Sequence, residues 1–266
     1  MRFVARRLLL FVAALTGLSI LVFLALRVLP GDVAAVMAGT NATAARIAAL
    51  RMEMGLDRPL PMQYADWLTG LLHGDLGVSA ISGKSVALQV GVRSAVTFPL
   101  IVLSLAIALL IGLPLGCAAV ITRNRRWRGL LHVIAIIGGA VPALWSGLLL
   151  ILLFSRGSGL LGLFPSQGFP NDGWASPRRA LASLVLPALA TGITAGAGIM
   201  RYTRAALGDA AQSQAVSMAM ACGMTRKQAL LRVGLRLSLP QLVSVIGLTF
   251  AQMVTGVMVI EKIGRA

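Results

Sequence analysis

The run SAVTFPLIVLSLAIALLIGLPLGCAAVIT, Ser94 to Thr122, contains no charged side chain. About 20 residues at ~1.5 Å rise per residue carry a helix across a hydrocarbon core of about 30 Å, so this run can span a bilayer. Dividing the rest of the chain at its charged residues leaves four more such runs: Leu8 to Leu26, Gly129 to Ser155, Ala180 to Met200 and Leu237 to Ile260. A shorter uncharged run, Ala210 to Thr225, carries Gln212, Ser213, Gln214 and Ser217 and is placed outside the membrane. Mean hydropathy is +0.87. Of the 266 residues, 58% are hydrophobic and 12% charged, too apolar for an ordinary soluble domain. The fold class is therefore all-α, a bundle of membrane-crossing helices.

A net charge of +16 raises the question of nucleic acid, but the basic residues lie between apolar runs rather than on one polar face. They set topology instead, because Lys and Arg resist translocation. With the N-terminus inside, the cytoplasmic segments hold Arg2, Arg6, Arg7, Arg123, Arg125, Arg126, Arg128, Arg201, Arg204, Arg226, Lys227, Arg232 and Arg236, against one acid, Asp209. The other acids, Asp32, Glu53, Asp57, Asp66, Asp75, Asp172 and Glu261, fall outside. Five spans then leave the C-terminus outside as well. A cleaved signal peptide is the alternative for the first run, with Val36, Met37 and Ala38 as its small-residue stretch. The 19-residue apolar run is longer than a usual signal core, and four spans follow it, so an uncleaved helix is expected.

Between the first two spans, residues 31–93 read as two short helices forming an external lid or platform. Thr43 caps the first and Gly55 ends it; Pro59 and Pro61 open the second, whose Met62, Ala65, Leu68 and Leu72 recur at helical spacing before Gly74. Residues 156–179 read as an external loop rich in Gly, Ser and Pro.

Ion-coupled carriers need carboxylates or histidines within the membrane, where such groups are costly enough to stand out. The five runs hold no Asp, Glu or Lys, and His132, near the cytoplasmic end of the third, is read as an interface residue. Arg27 can snorkel to the headgroups. Ser82, Gly83, Lys84 and Ser85 resemble the end of a phosphate-binding loop, but the earlier glycine such a loop needs falls on Val78, with Gly77 one residue out of register. ATP, if it drives transport, binds elsewhere. Cys117 and Cys222 have neither CxxC spacing nor a neighbouring thiol, so no disulfide or metal framework is expected.

Four stretches carry a resemblance. Arg6 and Arg7 precede a span that closes with Arg27, Pro30, Gly31 and Asp32. The external segment has Gly55, Leu56, Asp57, Arg58 and Pro59, then Gln63 and Tyr64, then His73, Gly74, Asp75, Leu76, Gly77 and Ser79. Gly112, Pro114 and Gly116 lie in the second span, Val141, Pro142 and Trp145 in the third. After the fourth span, itself interrupted by Pro187, come Ala219, Ala221 and Gly223, then Met224, Thr225, Arg226, Lys227 and Gln228, and later Pro240.

Together they resemble the inner-membrane permeases of the dipeptide, oligopeptide and nickel group of binding-protein-dependent ATP-binding cassette (ABC) importers. The resemblance implies a type I importer permease: a non-catalytic translocation subunit of the multi-pass bacterial inner membrane, binding no cofactor itself. Its partners would be a second homologous permease, two ATPases carrying ATP and Mg, an external solute-binding protein and lipid, with no nucleic acid. Substrate would pass between the two permeases. Residues 1–92 would form the first span and external segment, and residues 93–266 the permease core with a coupling loop at 201–239. Ala219, Ala221, Gly223, Met224, Thr225, Arg226, Lys227 and Pro240 would dock the ATPase and convert its closure into rotation of the spans; Pro114, Pro142 and Pro187 would kink helices.

Two departures stand out. Ser217, Met220 and Cys222 occupy places where relatives carry charges, and the chain ends at Ala266 where relatives continue into a sixth span. A shortened chain, a frameshifted gene or a short natural variant would each give that ending, and a non-transporting remnant is one alternative reading. An ion-coupled carrier or channel is another. His73 and the methionines hint at nickel, yet His73 belongs to a motif common to peptide and nickel relatives, so di- or oligopeptides are expected.

Overall fold

The computed structural model describes residues 2–28, 33–39, 42–79, 82–157, 159–165, 168–170 and 172–263. The regular elements among them are helical. Among the described residues four helices are long and apolar enough to cross a membrane, with a fifth crossing if one bent pair counts as a single span. The chain divides into two compact units, residues 1–93 and 94–266.

The first unit holds α1 (Arg2–Val28), α2 (Val33–Ala38), α3 (Ala44–Glu53) and α4 (Leu60–Leu72). Side chains described on α1 are exposed nearly all round, as an apolar helix facing lipid or another subunit would be. The aromatic rings of Phe23, Tyr64 and Trp67 meet between α1 and α4 in edge-on and tilted contacts, and Ser19 Oγ shares a 2.7 Å hydrogen bond with the Tyr64 hydroxyl. The sequence indicates two helices in this segment, and three are found among the described residues; α2 is only six residues long, too short to display a helical period.

Thr43 caps α3, its hydroxyl accepting from Arg46 N at 3.4 Å. Gly55 takes a left-handed φ of +64° after α3, and Pro59 precedes α4. Gln63 holds the turn between them by donating from Nε2 to the carbonyls of Leu56 at 3.0 Å and Arg58 at 2.7 Å. Gln63→Leu removes both bonds, leaving two carbonyls without that donor. It should destabilise this turn by about 1–3 kcal/mol, read as faster amide exchange or proteolysis at residues 54–59.

The second unit begins in α5 (Val86–Ile121) and continues through α6 (Arg125–Ala140), α7 (Ala143–Phe154), α8 (Pro177–Ala210), α9 (Gln214–Ala221), α10 (Arg226–Ala229) and α11 (Leu235–Ile263). Both α5 and α8 extend beyond the charge-free runs that betray them. Charges such as Arg93, Arg201 and Arg204 mark where lipid ends, not where backbone hydrogen bonding ends.

Helix α8 is central, with α5, α6, α7 and α11 packed around it. It runs alongside α5 in the same direction at backbone contact distance. A Cβ added at Gly112 would stand 2.7 Å from Gly196 O, at Gly116 2.6 Å from Thr203 Cβ, and at Gly192 2.8 Å from Ile107 Cβ. Small residues permit this approach, which lets dispersion hold helices together where no hydrophobic effect operates. Ser104 and Thr191, both buried, share a 2.6 Å hydrogen bond across the seam. Val96, Leu100, Ile101, Ala108, Leu184, Ile199 and Met253 form the apolar core, joining α5, α8 and α11.

The third apolar run, expected as one continuous span, is two helices bent by 100° at residues 141–142. Pro142 lacks the amide that would continue α6, and its ring drives Val141 to an extended conformation, φ −78° and ψ 119°. Pro114 and Pro187 lie inside unbroken helices. At Pro187 the carbonyl accepts a bond of 2.9 Å from the Thr191 hydroxyl. Outside α7, the loop to α8 is tied to α5 by Trp174 Nε1, which donates to Ala95 O at 2.9 Å.

Candidate functional site

On the side assigned to the cytoplasm by its basic residues, the chain leaves α8 and folds into a two-helix knob. Ser213 caps α9, its hydroxyl accepting from Val216 N at 3.4 Å. Cys222 ends that helix and Gly223 turns the chain at φ +90°, a left-handed conformation that side-chain-bearing residues resist. Thr225 and Gln228 then form a reciprocal cap, Thr225 Oγ1 accepting from Gln228 N at 3.4 Å and Gln228 Oε1 from Thr225 N at 3.0 Å.

Leu207, Val216, Ala229 and Leu230 are buried together at the knob's base, with Cys117, Val120 and Ile121 of α5 and Ala219 and Met224 packed against them. The knob is therefore rooted on the ends of both long helices. From α10 the backbone continues as a π-turn, Leu230–Gly234, before α11; Leu235 N–H reaches back to Leu230 O. The extra residue per turn places Gly234 against Leu207, where a Cβ would stand 3.2 Å from Cδ1. Ser238 Oγ secures the junction, 3.1 Å from Ala206 O. Pro240 follows within α11, exposed.

Met218, Ala221, Cys222 and Gly223 are exposed, as are Arg226 and Lys227 just after the turn and Arg232 and Arg236 further along the chain. A small apolar tip with a cationic rim fits a groove with an acidic margin on another protein. Ala221, Gly223, Thr225, Arg226 and Lys227 lie on this surface, whereas Ala219 and Met224 serve its root. Of the residues that fix the root, Leu230 belongs to the stretch that carries the resemblance, whereas Leu207, Val216 and Ser238 have no mark in the sequence. The Thr-x-x-Gln cap was its one visible local signal.

The external candidates belong to the first unit. Pro30, Gly31 and Asp32 lie outside the described residues. Gly55 and Pro59 punctuate the α3–α4 turn, where Leu56 N donates to Arg51 O at 2.9 Å and Asp57 is exposed. Gly74 and Gly77 take φ of +82° and +72°, and Asp75 Oδ1 accepts from Gly77 N at 2.8 Å. Ser79 pairs with the loop ahead of α5: its N–H donates to Lys84 O at 2.9 Å and its carbonyl accepts from Gly83 N at 2.9 Å. The phosphate-loop-like stretch is thus a turn closed on its own backbone.

Sequence comparison covers the chain from end to end. Residues 1–111 match the N-terminal part of the binding-protein-dependent transport system membrane components, and residues 108–266 match the inner membrane component itself. The glutathione transport system permease protein GsiC of Pectobacterium atrosepticum is 35% identical over 258 residues, covering 97% of this chain and 80% of that protein. Those of Salmonella typhimurium and Escherichia coli K12 are 33% and 34% identical, each covering 99% of this chain and 82% of its relative. With the apolar helices described above, this places the protein in the bacterial inner membrane as a multi-pass, non-catalytic transport subunit. The chain belongs to the binding-protein-dependent transport system inner membrane component family and is a permease subunit of an ABC importer.

Proposed function

We propose that this chain forms half of a translocation path for small peptides, pairing with a second, homologous permease. Support for a peptide cargo is that its relatives are named for glutathione, a tripeptide. ATP and Mg bind on two partner ATPases, and an external binding protein delivers the solute. The residues 213–240 knob is the point at which ATPase closure reaches the spans. The observation that carries this is its construction: an apolar tip and cationic rim fixed by a buried root to α5 and α8.

The test is uptake of glutathione and of di- and tripeptides into vesicles holding the permeases. Uptake should require ATP, the ATPases and the binding protein together, and omission of any one should abolish it. Flux driven by an ion gradient, or uptake by this chain alone, would overturn the proposal.

A further inference from the structure

Within the second unit, a cleft of about 440 Å³ opens between the α6–α7 break, α8 and α11. That volume suits a small solute. Its lining includes Gly139 at the break, Thr194, Arg201 and Tyr202 of α8, and Thr249 and Gln252 of α11. Thr191, also on its wall, lies ten residues before Arg201, so the cleft runs ~15 Å along α8. It therefore reaches from the end of the apolar run well into the membrane.

Among the described residues Arg201 is the one charged side chain lining this cleft. Its guanidinium lies over Gly139, where an added Cβ would stand 3.0 Å from Cζ and a side chain would displace it. Among the described residues no carboxylate pairs with Arg201, and the Gln252 amide has no side-chain partner. The Thr194 and Thr249 hydroxyls donate to carbonyls of their own helices, at 3.0 and 2.8 Å, which leaves their oxygens able to accept from a guest. A guanidinium presents paired donors matched to a carboxylate. A glutamine amide offers one acceptor and two donors, complementary to a peptide bond.

We propose that this cleft is a subsite for the C-terminal carboxylate of a small peptide in transit. Arg201 takes the carboxylate and Gln252 the adjoining amide. The inference rests on the peptide-import reading and deepens it, since it assigns this permease, and not only the binding protein, a share in choosing the solute.

The test uses the transporter assembled with its partner subunits in nanodiscs, and two probes: trialanine and its C-terminal amide. Equilibrium binding is measured without the binding protein, and ATP-driven uptake is measured with it. Wild type should bind the free acid about tenfold or more tightly than the amide, as expected for loss of one charge-assisted pair. Arg201→Gln should bring the two probes to parity and Arg201→Lys should retain an intermediate preference. Equal binding of both probes by wild type, or an unchanged preference in Arg201→Gln, overturns the subsite. Should Arg201→Gln fail to fold, the wild-type ratio and Arg201→Lys still decide. Acid-selective, Arg201-dependent binding without uptake would sink peptide import and leave the subsite standing. Uptake without acid preference would sink the subsite alone.

Discussion

Gly116→Val should break the bundle at its tightest seam. The new Cβ would stand 2.6 Å from Thr203 Cβ and 2.9 Å from Met200 O, atoms fixed to the backbone of α8 that no rotamer change can withdraw. The two helices would have to separate, and with them the Ser104–Thr191 hydrogen bond and the packing of Leu100, Ile101 and Ile199. Overpacking typically costs 1–3 kcal/mol, and a branched side chain against backbone sits at or above the top of that range, roughly 3 kcal/mol. The expected result is a large fall in the thermal midpoint of the purified permease and in its steady-state level in the membrane. Gly129→Ala supplies the contrast, because nothing lies within 4 Å of its added methyl. It should leave both quantities unchanged or slightly raised. Equal midpoints for Gly116→Val and wild type would mean that α5 and α8 do not meet as described.

Gly223→Val should leave the permease inserted and folded yet remove its grip on the ATPase. No neighbouring atom lies within 4 Å of an added Cβ, so crowding contributes nothing; the effect comes from φ +90°, which a β-branched residue adopts at a cost of about 1–3 kcal/mol. The cheapest escape is to change φ, which redirects α10 relative to α9 and moves Arg226 and Lys227 away from the tip. Pull-down of the ATPases by the tagged permease should drop at least tenfold, and ATP-driven uptake with it. Asn tolerates the left-handed region, so Gly223→Asn should restore most of the docking. Docking unchanged in the Val variant would show that the ATPase is held elsewhere.

The sequence announces the spans because lipid tolerates so few charges, and each long apolar run coincides, to within about a residue at its end, with part of a helix or, in one case, with a pair of helices. It is less informative about what happens inside a run. Pro114, Pro142 and Pro187 look alike on the page, yet only Pro142 stands at a 100° break; whether a proline is absorbed depends on neighbouring helices and on the residue before it. Gly112 and Gly116 signal close packing, but nothing in their spacing names Gly192, Gly196 and Thr203 as what they meet. That pairing is a tertiary fact. The helix α2 is too short for periodicity to reveal it, and the π-turn at Leu230–Gly234 has no compositional mark at all.

At the knob, Gly223 between an Ala-rich segment and Thr225 is visible as punctuation. Its root is not, because Leu207 and Val216 look like any other aliphatic residues in an apolar chain. Arg201 illustrates a subtler difficulty. Counted with the basic residues, it marks the inner edge of the membrane, and only the bend near Gly139 and the approach of α11 reveal that its guanidinium borders a cleft. Gln252 offers a fainter clue, a polar amide set deep in an uncharged run.

The glycine seam and the knob's root together have a mechanical consequence. Two stiff rods clamped side by side, of 36 and 34 residues, cannot slide past one another, so a force on the protrusion at their feet must swing both as one lever. At ~1.5 Å per residue the shorter rod is ~51 Å long, and a swing of about 10° about its midpoint carries each end by roughly 4–5 Å. A stroke of that size at one face of the bilayer would emerge, equal and reversed, at the other.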